Sequence, residues 1–271
     1  MPAHSDHGHV HKKRLGQHFL HDGGVIARIV QAIAPRPGDA LVEIGPGEGA
    51  LTWPLLRAAG GMTVIEFDRD LVPRLRAAAE GMGTLRIVQA DVLDVDLREL
   101  AAGGTLRVVG NLPYNISSPI LFHCIDAIDA IEDMHFMLQK EVVERMAATP
   151  GSKVYGRLSV MLQLACRVEP LIEVPPAAFR PPPKVDSAVV RLVPRAPAQR
   201  PPAAVAEAVA HVVRAAFGQR RKTIANALHG VVDAERISEC GIDPRARAEQ
   251  IAPAGFVALA AVARVPENPA P

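Results

Sequence analysis

A doubly wound, mostly parallel α/β sheet followed by a small all-helical domain is the fold this sequence predicts. Three observations point to it. Short β-branched runs alternate with helix-length segments between residues 40 and 148. A glycine-rich turn, Gly45-Pro46-Gly47-Glu48-Gly49, follows the first of those runs. From Pro201 onward the texture turns Ala-rich and helical. With 271 residues and 49% hydrophobic content, the chain suffices for one large domain and one small one.

The first eleven residues hold His4, His7, His9 and His11 without an apolar pattern, so a tail is expected there, with no apolar signal core. Lys12-Lys13-Arg14 then precede a helix over 23–34; they suit contact with phosphates or serve as a charged lead-in. The run Ala40-Leu41-Val42-Glu43-Ile44 reads as a buried strand, and the glycine turn leads into a helix that ends near Ala59. Glycines allow a tight turn and close approach of backbone to a ligand. The pattern Gly45-x-Gly47-x-x-Ala50 also fits the dinucleotide fingerprint, so NAD and S-adenosylmethionine are both admitted.

The next strand, 62–66, ends at Glu66, 21 positions past Gly45, where a carboxylate suits two ribose hydroxyls. A helix over 71–80 and a strand over 85–91 follow. Asp91 at that strand's end suits an adenine amine, or caps a turn. Residues 106–109 form a fourth buried strand, which runs into Gly110-Asn111-Leu112-Pro113-Tyr114. Ligands of open α/β sheets sit at such carboxyl ends. Asn111 and Pro113 offer acceptors and Tyr114 a flat π-face, a set that suits an exocyclic amine on a planar ring. The same residues also make an ordinary strand-to-helix turn stiffened by proline.

A helix over 117–127, a strand over 134–139 and a helix over 140–148 complete the alternation, with His135 as a packed strand residue. The loop 151–156 is expected to close over the site, and strands are expected at 162–168 and 186–193, one of them antiparallel. Between these two strands, Phe179-Arg180-Pro181-Pro182-Pro183-Lys184 is stiffened by its prolines. It is either a rigid connector or a mount for Phe179 opposite Tyr114, where two aromatic faces would sandwich an extruded base. Residues 195–202 form a linker, and helices are expected over 203–217, 223–228, 244–250 and 256–262.

Net charge is only +1, but it is unevenly spread. Residues 39–99 hold eleven acidic and six basic side chains, whereas residues 175–222 hold nine basic and two acidic. The second stretch, which ends in Arg220-Arg221-Lys222, is the expected footprint for a polyanion. Three dispersed cysteines argue against a disulfide framework or a zinc site and suit a reducing compartment. No uncharged apolar stretch is long enough to span a bilayer.

Taken in order, Gly16-Gln17-His18-Phe19-Leu20, the run from Glu43 to Gly49, the run from Asn111 to Pro119, residues 134–143, 179–190 and 217–222 make the chain similar to one family. It resembles the bacterial small-subunit (16S) ribosomal RNA adenine dimethyltransferases from Lys12 to about Val262. These enzymes dimethylate two adjacent adenines near the 3′ end of that RNA. The resemblance implies a Rossmann-like S-adenosylmethionine-dependent methyltransferase sheet over 12–197, after a tail over 1–11. It implies a helical RNA-recognition domain over 198–271. It also implies that His18, Leu20, Gly45, Gly47, Glu66, Asp91 and Asn111 border S-adenosylmethionine, and that Asn111, Leu112, Pro113 and Tyr114, with Phe179, form the catalytic group. Lys12, Lys13, Arg14, Arg220, Arg221 and Lys222 would meet RNA. The expected partner is 16S rRNA within the 30S subunit, and a cytoplasmic monomer without metal is expected. One departure is His18, where the most familiar form of the arm has Asn.

In the implied chemistry, the Asn111 oxygen and the Pro113 carbonyl accept the two amine hydrogens, and the nitrogen lone pair turns outward. Three other functions compete. A resistance-type large-subunit rRNA adenine methyltransferase shares Asn-x-Pro-Tyr, though Ser117-Ser118-Pro119 and 217–222 favour the small-subunit enzyme. A NAD-dependent oxidoreductase leaves Asn111 to Tyr114 without a role. A ribosome-assembly factor that has lost catalysis does not need the intact site.

Overall fold

Short strands and helices alternate through the first two thirds of the chain, in a computed structural model that describes residues 18–264. The expected tail over 1–11 and the cations Lys12, Lys13 and Arg14 lie outside the described residues. In chain order the elements begin with β1 (Phe19–Leu20), α1 (Gly23–Ile33), β2 (Leu41–Ile44), α2 (Thr52–Ala59) and β3 (Gly61–Glu66). Next come α3 (Val72–Ala78), β4 (Thr84–Gln89), α4 (Leu97–Ala101), β5 (Leu106–Asn111) and α5 (Ser117–Asp126). β6 (Ile131–Gln139), α6 (Lys140–Ala147), α7 (Arg157–Ala165) and β7 (Cys166–Val174) follow, then β8 (Phe179–Arg180) and β9 (Ser187–Pro194).

Seven strands form one sheet in the order β4-β3-β2-β5-β6-β9-β7, and β1 pairs with β8 in a separate two-stranded piece. The five strands from β4 to β6 are parallel, and β9 runs antiparallel to both its neighbours. The strand order reverses between β2 and β5, and ligands of wound sheets sit at that switch point.

Period-two alternation builds the two cores. Val108 joins the cluster that holds Ile44, Ile120 and Phe136, while Val109 joins the one that holds Ile29, Leu55 and Val64. Helices cover both faces, which is why these strands read as continuous apolar runs. α1 shows the helical counterpart. Asp22 caps it by accepting from the Val25 N–H at 2.9 Å, and Val25, Ile29 and Ile33 form its buried stripe.

Gly110 lies in β5 against the backbone of β2. A Cβ there would stand 2.7 Å from the Ile44 carbonyl oxygen, which is backbone and cannot rotate aside. Gly110→Ala is expected to destabilise the fold by about 1–3 kcal/mol. Urea unfolding monitored by circular dichroism checks this.

Three expectations need correction. Residues 157–165 are helix, not the start of a strand, and the strand runs from Cys166 to Val174. The Ser159 hydroxyl accepts from the Gly156 N–H at 3.0 Å and fixes that helix start, and a short apolar run does not distinguish helix from buried strand. The loop 151–156 does not close over the carboxyl ends of the strands. Tyr155 is fully buried among the C-terminal helices and donates to the Ile251 carbonyl at 2.9 Å.

Those helices are α8 (Ala203–Gly218), α9 (Ile224–Ala227), α10 (Ala234–Glu239) and α11 (Pro253–Val262). They enclose a third cluster around Val212, Leu228, Phe256 and Leu259, to which Tyr155 and Val160 also contribute. The segment 244–250, expected to be helical, holds only a 3-10 turn at Ala248–Gln250, while α10 forms just before it.

Candidate active site at the carboxyl ends of the parallel strands

A cavity of about 280 Å3 opens at the switch point, lined from β2, β3 and β5, from the turns that follow β2, β3, β4 and β5, and from β1. Gly45 and Gly47 take positive φ values of 66° and 57°. A Cβ on Gly47 would stand 2.8 Å from Cε1 of Phe19, so the arm carrying β1 lies directly on the glycine turn. Leu20 is buried behind it.

Glu66 ends β3 at the cavity. Its Oε1 accepts from the Asp68 N–H at 2.7 Å and its Oε2 from the Gly47 N–H at 3.3 Å. Burial raises its pKa above the ordinary carboxyl value, against the lowering effect of those N–H groups. Each carboxylate oxygen retains a lone pair for a ligand hydroxyl. Asp91 follows β4; it caps the turn Val92–Asp94 by accepting from the Leu93 N–H at 3.0 Å, and it also lines the cavity.

Glu43 was not singled out in the sequence. It lies in β2 with 2% of its surface exposed, and it lines the same cavity. Thr52 Oγ1 donates to its Oε2 at 2.6 Å. Burial, opposed by the Thr52 bond and reinforced by the charge of Glu66, pushes its pKa from 4.5 up to about 7. The signal was available, because Glu43 is the one charge in the otherwise apolar run Leu41-Val42-Glu43-Ile44.

The sign of the pH effect follows from that shift. The neutral acid is favoured in the folded state, so Glu43 contributes stability fully below its unfolded value of 4.5 and loses it as pH rises through about 7. Glu43→Gln keeps an acceptor for Thr52 and is expected to flatten that decline. Urea midpoints at about pH 5 and about pH 8, compared between the two proteins, check this.

At the end of β5 the Asn111 side chain donates from Nδ2 to the His18 carbonyl at 2.9 Å. A carbonyl only accepts, so the amide nitrogen must face it and Oδ1 is the oxygen left over. Leu112 donates its N–H to Met137 at 3.1 Å. The Pro113 carbonyl accepts from the Ile116 N–H at 3.2 Å, which closes the turn into α5. Among the described residues the Leu112 carbonyl, one residue beyond the last β5–β6 pair, receives no such bond. The Leu112 carbonyl is thus an unclaimed acceptor beside Asn111, whereas the Pro113 carbonyl, the acceptor expected from the sequence, already receives the turn bond.

Tyr114 is half-buried. Its hydroxyl shares a hydrogen bond of 2.6 Å with Ser187 Oγ at the start of β9. Its ring stacks on the His18 imidazole, with centroids 5.7 Å apart and planes at 28°. His18 Nδ1 lies 2.8 Å from the Pro181 carbonyl. Phe179 does not face Tyr114. Its pairing with Leu20 in the β1–β8 piece turns it into the core, where it is 1% exposed, and the neighbouring Arg180 points outward. The expected Tyr114–Phe179 sandwich is not present.

The basic stretch is also narrower than the residue count implied. Arg191 pairs with Asp133 at 3.3 Å, Arg195 Nε donates to the Gln163 carbonyl at 2.7 Å and Arg200 pairs with Asp129 at 2.5 Å. Arg220 donates to the Lys153 and Tyr155 carbonyls at 3.0 and 3.2 Å and so helps hold the loop 151–156. Arg180, Lys184, Arg214, Arg220, Arg221 and Lys222 are exposed. Among the described residues no cluster of His, Cys, Asp and Glu suits a metal ion, and no helix is long and apolar enough to cross a membrane.

Comparison with known proteins gives a consistent result. A family profile described as ribosomal RNA adenine dimethylase matches residues 8–264. A protein of Xanthomonas campestris pv. campestris (strain B100), named ribosomal RNA small subunit methyltransferase A, is 62% identical over 251 residues, which cover 93% of this chain and 95% of that protein. A protein of the same name from Xanthomonas axonopodis pv. citri (strain 306) is 62% identical over 256 residues, with the same shares covered. Among solved structures, a dimethyladenosine transferase from Plasmodium falciparum superposes with a TM-score of 0.74 at 24% identity, covering 91% of this chain and 99% of that one. The 23S rRNA methyltransferase ErmE superposes with a TM-score of 0.71 at 30% identity, covering 90% and 98%.

Proposed function

Because the chain belongs to the ribosomal RNA adenine dimethylase family, we propose that it dimethylates the N6 amine of two adjacent adenines near the 3′ end of 16S rRNA, within the small ribosomal subunit. It is an S-adenosylmethionine-dependent methyltransferase that acts on small-subunit rRNA. The observation that carries the site assignment is the pair of unclaimed acceptors at the end of β5, Asn111 Oδ1 and the Leu112 carbonyl, beside the Tyr114 ring.

The cavity suits the cofactor by its donor set and by its close backbone approach. Glu66 would hold the ribose hydroxyls and Asp91 the adenine amine, while Gly45 and Gly47 leave room at the turn and Leu20 closes the apolar wall. S-adenosylmethionine, when bound, supplies an activated methyl group on a sulfonium sulfur. Three carboxyl groups, of Glu43, Glu66 and Asp91, line the space a cation would enter.

The chain's own part is positioning. An adenine amine is a weak nucleophile because its lone pair is delocalised into the ring. Asn111 Oδ1 and the Leu112 carbonyl accept its two hydrogens, the nitrogen becomes pyramidal and the lone pair is freed. Tyr114 holds the base plane by stacking. No side chain needs to act as a strong base, because the nitrogen becomes acidic once it is alkylated. Well-oriented reactants gain about 7–11 kcal/mol from such positioning.

Arg220, Arg221, Lys222, Arg214, Arg180 and Lys184 supply the cations that meet RNA, together with Lys12, Lys13 and Arg14. Residues 12–197 form the catalytic unit and 198–271 the helical recognition unit of a cytoplasmic monomer. The likeness to a 23S rRNA enzyme favours one second reading, a large-subunit substrate. Tritiated-methyl transfer to purified, unmodified small and large subunits separates the two. Label confined to the small subunit supports the proposal, and label confined to the large subunit replaces it.

A further inference from the structure

We propose that Arg157, laid flat over Phe122, is an RNA-contacting residue that guides the substrate backbone from the helical domain to the catalytic turn. The inference rests on the rRNA methyltransferase reading above and adds a contact to it.

Three observations carry it. The first is the pair itself. The Arg157 guanidinium carbon stands 5.4 Å from the Phe122 ring centroid, within the reach of about 6 Å for a cation–π contact. Such a stack occupies the flat face of the guanidinium. It leaves the N–H edges outward, and those edges grip a phosphate in two-pronged fashion. Arg157 is exposed, and among the described residues no carboxylate or carbonyl accepts from it.

The second is that folding does not use this charge. Arg157 is the first residue of α7, and the first turn of that helix holds no acidic residue. The N-terminal end of a helix carries partial positive charge, which favours an anion and disfavours a cation. Arg157 therefore stands where its charge is a cost to the free protein, and a polyanion reverses that cost.

The third is placement. On α5, Ser118 and Pro119 lie four and three residues before Phe122 and share its outward face, while Ile120, Leu121 and Cys124 are buried. α5 begins three residues after Tyr114, so this face leads from the catalytic turn over about 6 Å between Ser118 and Phe122. On the other side, Arg157 follows Tyr155 by two residues, and Arg220 donates to the Lys153 and Tyr155 carbonyls. Lys153 and Arg220 are exposed as well. Arg157 thus lies between the stretch Arg220-Arg221-Lys222 and the turn Asn111 to Tyr114. A strand of RNA that reaches both must pass over it.

The test compares wild type, Arg157→Ala, Phe122→Leu and Arg76→Ala in the full-length chain. Arg76 is an exposed cation on α3, which packs on β4 at the opposite edge of the sheet from the strand that follows α7. The readouts are equilibrium binding to unmodified small subunits over a salt series, kcat and KM, S-adenosylmethionine Kd by calorimetry, and thermal midpoint. Arg157→Ala is expected to weaken subunit binding roughly three- to tenfold and to lower the slope of log affinity against log salt by about one. KM should rise in step, while kcat and cofactor Kd stay within about twofold, the mark of lost uniform binding. Phe122→Leu keeps the charge but frees the guanidinium, so binding should weaken about two- to threefold with the salt slope unchanged. Arg76→Ala should match wild type. Wild-type affinity and slope in Arg157→Ala, or wild-type affinity in a folded Phe122→Leu, would overturn the inference. So would an equal loss in Arg76→Ala, which makes the effect one of net charge. Should Phe122→Leu unfold, Arg157→Ala alone decides. Wild type that neither binds nor methylates small subunits fails the methyltransferase reading instead, whatever Arg157 does.

Discussion

Asn111→Ala is expected to reduce kcat by about 10²- to 10³-fold, the magnitude seen when one preorganised polar contact to a reacting centre is removed. The variant loses Oδ1, one of two acceptors for the substrate amine, so the lone pair is no longer freed before reaction. It also loses the Nδ2 bond to the His18 carbonyl, which ties the arm to the end of β5. Cofactor affinity should stay within about tenfold, because Glu66, Asp91 and the glycine turn are untouched. Single-turnover methyl transfer and calorimetric cofactor titration on the same preparation check both halves. A variant that retains near-normal turnover removes Asn111 from its assigned role.

The largest stability effect is expected at the other end of β5. Arg107 is 7% exposed, yet every part of its guanidinium is engaged. It forms a two-pronged pair with Asp133 at 3.0 and 3.0 Å and reaches Asp39 at 2.6 Å. It also donates to the Ile33 and Ala34 carbonyls at 2.6 and 3.3 Å. Burial opposes its charge, but the bonds to Asp133 and Asp39 win and hold it more basic than usual. Asp133→Ala strips the two-pronged partner and leaves a buried cation short of its counter-charge. The expected loss is about 3–5 kcal/mol, measured by urea unfolding. Replacing Arg107 and Asp133 together by Met and Leu should recover most of that loss, because a buried ion pair is worth little net against apolar residues of similar volume. If the double variant is as unstable as Asp133→Ala, the loss comes from packing and not from an orphaned charge.

The parts of this structure that were legible in the sequence are those written locally. Short β-branched apolar runs marked β2 to β6, and the turns at Gly45 to Gly49 and Asn111 to Tyr114 carried the candidate site residues in order. The parts that were not legible depend on pairing across long separations. β1 and β8 are two residues each and lie far apart in sequence, so no periodicity marks them. Their pairing nonetheless buries Phe179 and brings His18 onto Tyr114. Ser187 became part of the site because the reversed strand β9 begins beside the tyrosine hydroxyl. That the Leu112 carbonyl is left unclaimed while the Pro113 carbonyl closes the turn needed the bond from Ile116, which residue types alone do not reveal. Charge misled in the same way: nine cations in one stretch of sequence include Arg191, Arg195 and Arg200, which fold back onto structural partners.

Nucleoside mass spectrometry of small-subunit RNA after reaction with S-adenosylmethionine is the most direct measurement. Wild type should produce N6,N6-dimethyladenosine at two neighbouring positions near the 3′ end, and Asn111→Ala should leave both adenines bare under the same conditions. Methyl groups on another atom of the base, on the ribose or only on large-subunit RNA, or equal dimethylation by the variant, would contradict an amine held between the Asn111 oxygen and the Leu112 carbonyl.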